Sequence, residues 1–159
     1  MSSRTSPPPL GRFVYVVFLG AAFAGCCLAE EKPQAPALHE RGPVAEKYLR
    51  EKLAVWQRRL QLQAWTISVE MIKPEGLRPA TLGNIRWDPE NKTAVIRVLH
   101  ASDYQMPFTA ALKDMEFTLV HELIHLTFSR LPRHETNLSD EERAINQIAD
   151  ALLQRDGAD

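Results

Sequence analysis

Residues 119–126 read LVHELIHL, which sets two histidines four apart, His121 and His125, with Glu122 beside the first, inside an otherwise apolar run. A buried segment normally excludes such groups, because each polar atom taken from water must find a partner. On a helix, residues four apart lie one above the other on the same face, so both imidazoles can point at one spot off the helix. Zinc takes nitrogen donors at about 2.0–2.1 Å in a tetrahedron, and two imidazoles on successive turns supply half of that shell. Glu122, one step round the helix, can reach a water beside such an ion without binding the ion. The plainer alternative is a pair of core or surface histidines satisfied by hydrogen bonds. The only cysteines are Cys26 and Cys27, which are adjacent and make neither a disulfide framework nor a four-thiolate zinc site. A metal held by the rest of the chain must use nitrogen and oxygen.

A catalytic zinc site has three protein ligands and one open position, so a third donor is needed. The spacing H-E-x-x-H resembles the metalloprotease signature. One class with that signature carries a glycine three residues, and a histidine six residues, after the second histidine. Here those positions are Phe128 and Leu131, which excludes that class. The other common donor is a glutamate on the following helix, and SDEERAINQIADALL, residues 139–153, offers Glu141 and Glu142. Glu142 shares a helix side with Asn146, Ala149 and Leu153, and Asn146 is placed to orient a ligand histidine. Ser139 and Glu142 also form an S-x-x-E capping box. If the capping box occupies Glu142, then Glu141, bordering Ile145, Ile148 and Leu152, is the ligand. Helical geometry favours Glu142; Glu141 stays open, with the loop residue His134 a third choice.

The elements that must position these residues follow from periodicity. The chain has 159 residues, 45% hydrophobic and 25% charged, with net charge -1. That composition suits one domain with a real core, and the balance gives no reason to expect nucleic acid as a partner. A helix is expected over 44–62, with Val44, Tyr48, Val55, Leu60 and Leu62 as its apolar positions and Pro43 in its first turn. Trp65, Ile67, Val69 and Met71 alternate with Thr66, Ser68 and Glu70, the period of a strand with one face buried. Pro74, Gly76 and Pro79 break it. Residues 82–88 and 93–99 read as two strands around the turn at 88–92. A loop over 100–108, the motif helix over 113–129 ended by Pro132, a second loop and a last helix over 139–155 complete an α+β order with a three-stranded antiparallel or mixed sheet.

The first 29 residues have the parts of a secretory signal: Arg4 and Arg12, an apolar run from Phe13, then small residues. Two processing sites compete. CLA before Glu30 suits an ordinary signal peptidase, whereas FAGC resembles a bacterial lipobox that would lipidate Cys26 and attach the chain to a membrane. Either reading exports the protein, to a bacterial periplasm, a membrane surface or the medium. Residues 30–42 are polar and proline-bearing, a flexible spacer containing His39, and residues 43–157 form the domain.

Taken together, WTISV, TAVIRV, TLVHELIHL and EERAINQIADALL, within residues 65–153, resemble the small zincin metallopeptidases of the glutamate-ligand kind, such as the ImmA/IrrE-like and SprT-like families. The resemblance implies a minimal zincin-like fold and an ion of zinc held by His121, His125 and Glu142. It also implies a zinc-dependent peptidase, exported on the separate reading of residues 1–29, in which a zinc-activated water gives its proton to Glu122 as general base. A further donor is needed for the oxyanion, and Tyr104, His100 and His134 lie in the flanking loops. The strand 93–99 is expected as an exposed edge on which an extended peptide adds as another strand. Two other readings stand beside this one: an envelope-tethered binding or structural module with structural or absent zinc, and a zinc hydrolase of a non-peptide amide such as a cell-wall bond.

Overall fold

The computed structural model describes residues 35–79, 81–129 and 138–156. The signal segment, Cys26 and His134 lie outside the described residues. Within them the order is α1 (Arg41–Arg59), β1 (Thr66–Ile72), a single 3-10 turn at Pro74–Gly76, β2 (Gly83–Asp88), β3 (Thr93–Leu99), α2 (Phe108–Phe128) and α3 (Leu138–Asp156). This is an α+β fold with three helices and one three-stranded mixed sheet. Among the described residues, no helix is long and apolar enough to cross a membrane.

α1 begins three residues before the expected start and ends three residues earlier. Gly42 and Pro43 lie in its first turn, where the missing proline N–H has no intrahelical acceptor to lose. Its buried line is Ala45, Leu49, Leu53 and Trp56, so the apolar face is rotated from the expected one and Val44 is exposed. Gln61, at φ 56, turns the chain out of the helix. The Gln57 amide then donates to the carbonyls of Leu62 and Trp65 at 3.1 and 2.7 Å, holding the entry to β1.

The sheet order is β1-β3-β2. β3 runs parallel to β1, in register Val69↔Ile96, and antiparallel to β2, in register Ile85↔Ile96. β3 is therefore the central strand and not an edge, which corrects the expectation that peptide could add along 93–99. The reason is apolar content: Ala94, Ile96, Val98 and Leu99 are all buried, while Ile67, Val69, Met71, Ile85 and Trp87 on its neighbours are only partly so. A strand that buries this much apolar surface gains most with a partner on each side. One face of the sheet packs against the helices. The other carries Ser68, Glu70, Val95, Arg97, Asn84 and Arg86, joined by an Arg97–Glu70 ion pair at 2.6 Å.

α2 starts at Phe108, five residues before the expected Lys113, with Pro107 at its N-cap. The Pro107 carbonyl accepts from the N–H groups of Ala110 and Ala111 at 2.9 and 3.0 Å, and Phe108 and Ala111 are buried, so tertiary packing recruits a first turn that the pattern reads as loop. Opposite the histidines, α2 buries Glu116. Lys52 and Trp56 Nε1 each sit 2.8 Å from its Oε1, and the Tyr48 hydroxyl donates to its Oε2. Those three donors recur every four residues on α1, so one face of that helix converges on one carboxylate.

Candidate metal centre

α2 and α3 bring three donors together. His121 Nε2 and His125 Nε2 lie 3.0 Å apart; their rings meet edge-on, with centroids 4.7 Å apart. From α3, Glu142 places Oε2 3.3 Å from His121 Nε2 and Oε1 3.2 Å from His125 Nε2. One ligand atom from each of the three residues can be chosen so that all lie within 4.8 Å of one another. A group of this kind can hold a metal ion. A tetrahedral zinc shell with bonds of 2.0–2.1 Å has donor–donor edges of about 3.3 Å, and the three separations fall close to that value. The nitrogen and oxygen donors suit a metal ion in chemistry, and Glu142 reaches the two imidazoles through different carboxylate oxygens.

The surrounding groups suit that task. Asn146 Oδ1 lies 2.9 Å from His121 Nδ1. With Nδ1–H donating to that oxygen, the lone pair of His121 is on Nε2, the nitrogen that faces the other two donors. Burial and the neighbouring His125 lower the pKa of His121, which favours the neutral ring, the form that ligates. Ile145 and Ala149, the buried residues of α3, pack the helix down and hold Glu142 and Asn146 one turn apart on the side that meets α2.

Glu122 is 7% exposed and lies outside the three-residue group. Burial, and then the charge of Glu142, push its pKa up to about 7. A carboxyl poised near neutrality is suited to exchange protons.

These residues line a groove of about 1190 Å³. One wall is α2 and the start of α3, with Asp114, Phe117, Thr118 and Glu141 beside the metal-binding group; the other is β2 and the chain before it, residues 76–78 and 81–87. Glu141 thus lines the groove, but the group that could hold a metal ion includes Glu142 and not Glu141. His100 and Tyr104, two of the flanking-loop residues that could supply an oxyanion donor, do not line it. His100 Nδ1 instead lies 2.8 Å from Ser102 Oγ. Tyr104 is buried, and burial followed by the charge of Asp114 raises its pKa; it is a packing residue of the loop before α2.

One residue of the site was not anticipated. A Cβ at Gly83 would stand 2.4 Å from Thr118 Cγ2, 2.8 Å from the Arg97 carbonyl oxygen and 3.4 Å from Glu122 Oε1. Glycine is what lets the backbone of β2 approach the motif helix. The sequence did carry a signal, since a glycine at a strand position marks a bulge or a close backbone approach.

Comparison with protein-family models, curated proteins and solved structures finds no match to this chain.

Proposed function

We propose that this chain is a zinc-dependent metallopeptidase of minimal zincin type, acting on extended segments of protein. The observation that carries the reading is the meeting of His121, His125 and Glu142 beside the buried carboxyl of Glu122, on a groove bordered by a free strand edge. His121, His125 and Glu142 hold the ion, and Asn146 keeps His121 in the ligating tautomer. Bound there, zinc supplies a Lewis acid that acidifies water and polarises a carbonyl. Glu122 accepts a proton from the attacking water and returns it to the leaving amine. Among the described residues β2 has β3 on one side only, so its outer edge can offer backbone groups to a substrate strand. That edge takes the role first expected of β3. The leader-like composition of residues 1–29 supports action outside the cytoplasm, with Cys26 as an attachment point if lipidated.

The test is zinc content of the purified chain together with hydrolysis of denatured casein, with and without chelator, in the wild type and in Glu122→Gln. About one zinc per chain, chelator-sensitive cleavage and a zinc-loaded but inactive variant are expected. Cleavage retained in Glu122→Gln removes Glu122 from the chemistry. Zinc bound without hydrolysis favours the structural module.

A further inference from the structure

The solvent face of the sheet contains an incomplete charge row. Across it, Glu70, Arg97 and Asn84 stand side by side in register, and the first two form the 2.6 Å ion pair. The next row along is Ser68, Val95 and Arg86. Arg86 is exposed, sits on the edge strand bordering the groove, and makes no ion pair or hydrogen bond with any described side chain. The acid nearest to it on its own strand face, Asp88, is committed to the β2–β3 turn, where it accepts from the N–H groups of Glu90 and Asn91 and the Asn91 amide at 2.7–3.2 Å. Arg78, also exposed on this wall of the groove, likewise has no acid partner among the described residues. The wall formed by β2 and the chain before it therefore carries two cations with no acid partner among the described residues.

A strand added to the edge of β2 continues each of these rows by one residue. Residues directly opposite one another on neighbouring strands have Cβ atoms about 4.5–5.5 Å apart, where opposite charges attract and like charges repel. We infer that Arg86 is a specificity-determining residue, selecting an acidic side chain in the substrate strand at the position that faces it. This rests on the peptidase reading of the groove. Gly83 marks where β2 approaches Glu122, and Arg86 lies three residues further along, about 10 Å at the strand rise. The acidic residue is thus separated from the cleaved bond by about three residues.

The experiment uses the full, zinc-loaded chain and a neutral peptide that it cleaves, with Glu, Gln or Lys placed in turn at each position on both sides of the cleaved bond. At one position, two to four residues from that bond, Glu is expected to raise kcat/KM about threefold over Gln, and Lys to lower it by a similar factor. Arg86→Glu reverses the order while zinc content stays at one per chain. Fluorescence anisotropy of the same peptides on zinc-loaded Glu122→Gln reads binding without turnover and follows the same order, flattening as salt is raised. Cleavage with equal rates for Glu and Lys at every position overturns the inference and leaves the peptidase reading standing. So does a preference that survives in Arg86→Glu. If the wild type cleaves none of the peptides, the peptidase reading fails. In that case, anisotropy still supports the inference if Glu peptides bind more tightly than Lys peptides and Arg86→Glu reverses this, and overturns it if they do not.

Discussion

Gly83 and Glu122 meet across the groove: the position of a Cβ on the glycine stands 3.4 Å from the carboxylate oxygen Oε1. The same Cβ would overlap Thr118 and the backbone of Arg97, so Gly83→Ala must push β2 away from α2. Overpacking of this kind costs about 1–3 kcal/mol. The expected outcome is a variant destabilised by that amount in urea, with zinc content unchanged and casein cleavage reduced at least about tenfold, the loss that follows from a small displacement near the chemistry. Wild-type cleavage in the variant would show that the strand's close approach is immaterial.

Glu141 and Glu142 are neighbours in sequence with different places in the structure: both line the groove, and only Glu142 joins the group that could hold a metal ion. Glu142→Ala is expected to empty the site in the presence of a competing chelator, while Glu141→Ala retains about one zinc per chain. Equal zinc content in the two variants would refute the assignment of Glu142 as third ligand.

Stability of the metal-free protein should depend on pH through Glu122 and His121. Glu122 titrates at about 7 in the fold against 4.5 for an ordinary glutamate. Between those values the folded chain holds a proton that the unfolded chain has lost, so unfolding free energy falls as pH rises through the window. The full effect approaches about 3 kcal/mol. His121, whose pKa is lowered from 6.5, acts oppositely: below 6.5 the unfolded chain takes up a proton that the folded one resists, and stability falls as pH falls. Glu122→Gln removes the first contribution and leaves the second. Denaturant curves of the two chelated proteins between pH 4.5 and 8 are expected to converge at the acid end and diverge towards neutrality, with the variant the more stable. Parallel curves would contradict the raised pKa.

Glu116 ties α1 to α2 through Lys52, Trp56 and Tyr48. Glu116→Ala removes the buried carboxylate shared by Lys52, Trp56 and Tyr48, at a cost of about 3 kcal/mol. Zinc binding per folded molecule should be unchanged, because Glu116 lies on the far side of α2. A variant as stable as the wild type would mean that the two helices are held by apolar packing alone.

Much of this architecture is legible in the residues themselves. The alternation in TISVEMI and TAVIRVL marks β1 and β3, and β3 spans the expected 93–99. The i, i+4 placement of His121 and His125 is a property of one helix, and the register from Glu142 to Asn146 is a property of the next. Patterns with periods of two and 3.6 residues need only local geometry. The expected element bounds drifted where packing prevailed over propensity, as at the first turn of α2 and the rotated face of α1.

By itself, then, the sequence determined the elements, the helix carrying the histidines and the shortlist of two glutamates. Tertiary structure alone decided that β3 lies between its neighbours, that β2 forms the wall facing the histidines, that Glu142 turns its carboxylate to both rings, and that Tyr104 and His100 face elsewhere. The reason is physical: strand order and helix docking maximise the apolar surface buried by the whole chain, a sum over residues far apart that no local window contains. Glu116 and Gly83 show this most directly, since each owes its role to partners from distant elements, one needing donors from α1 and the other needing the space taken by α2.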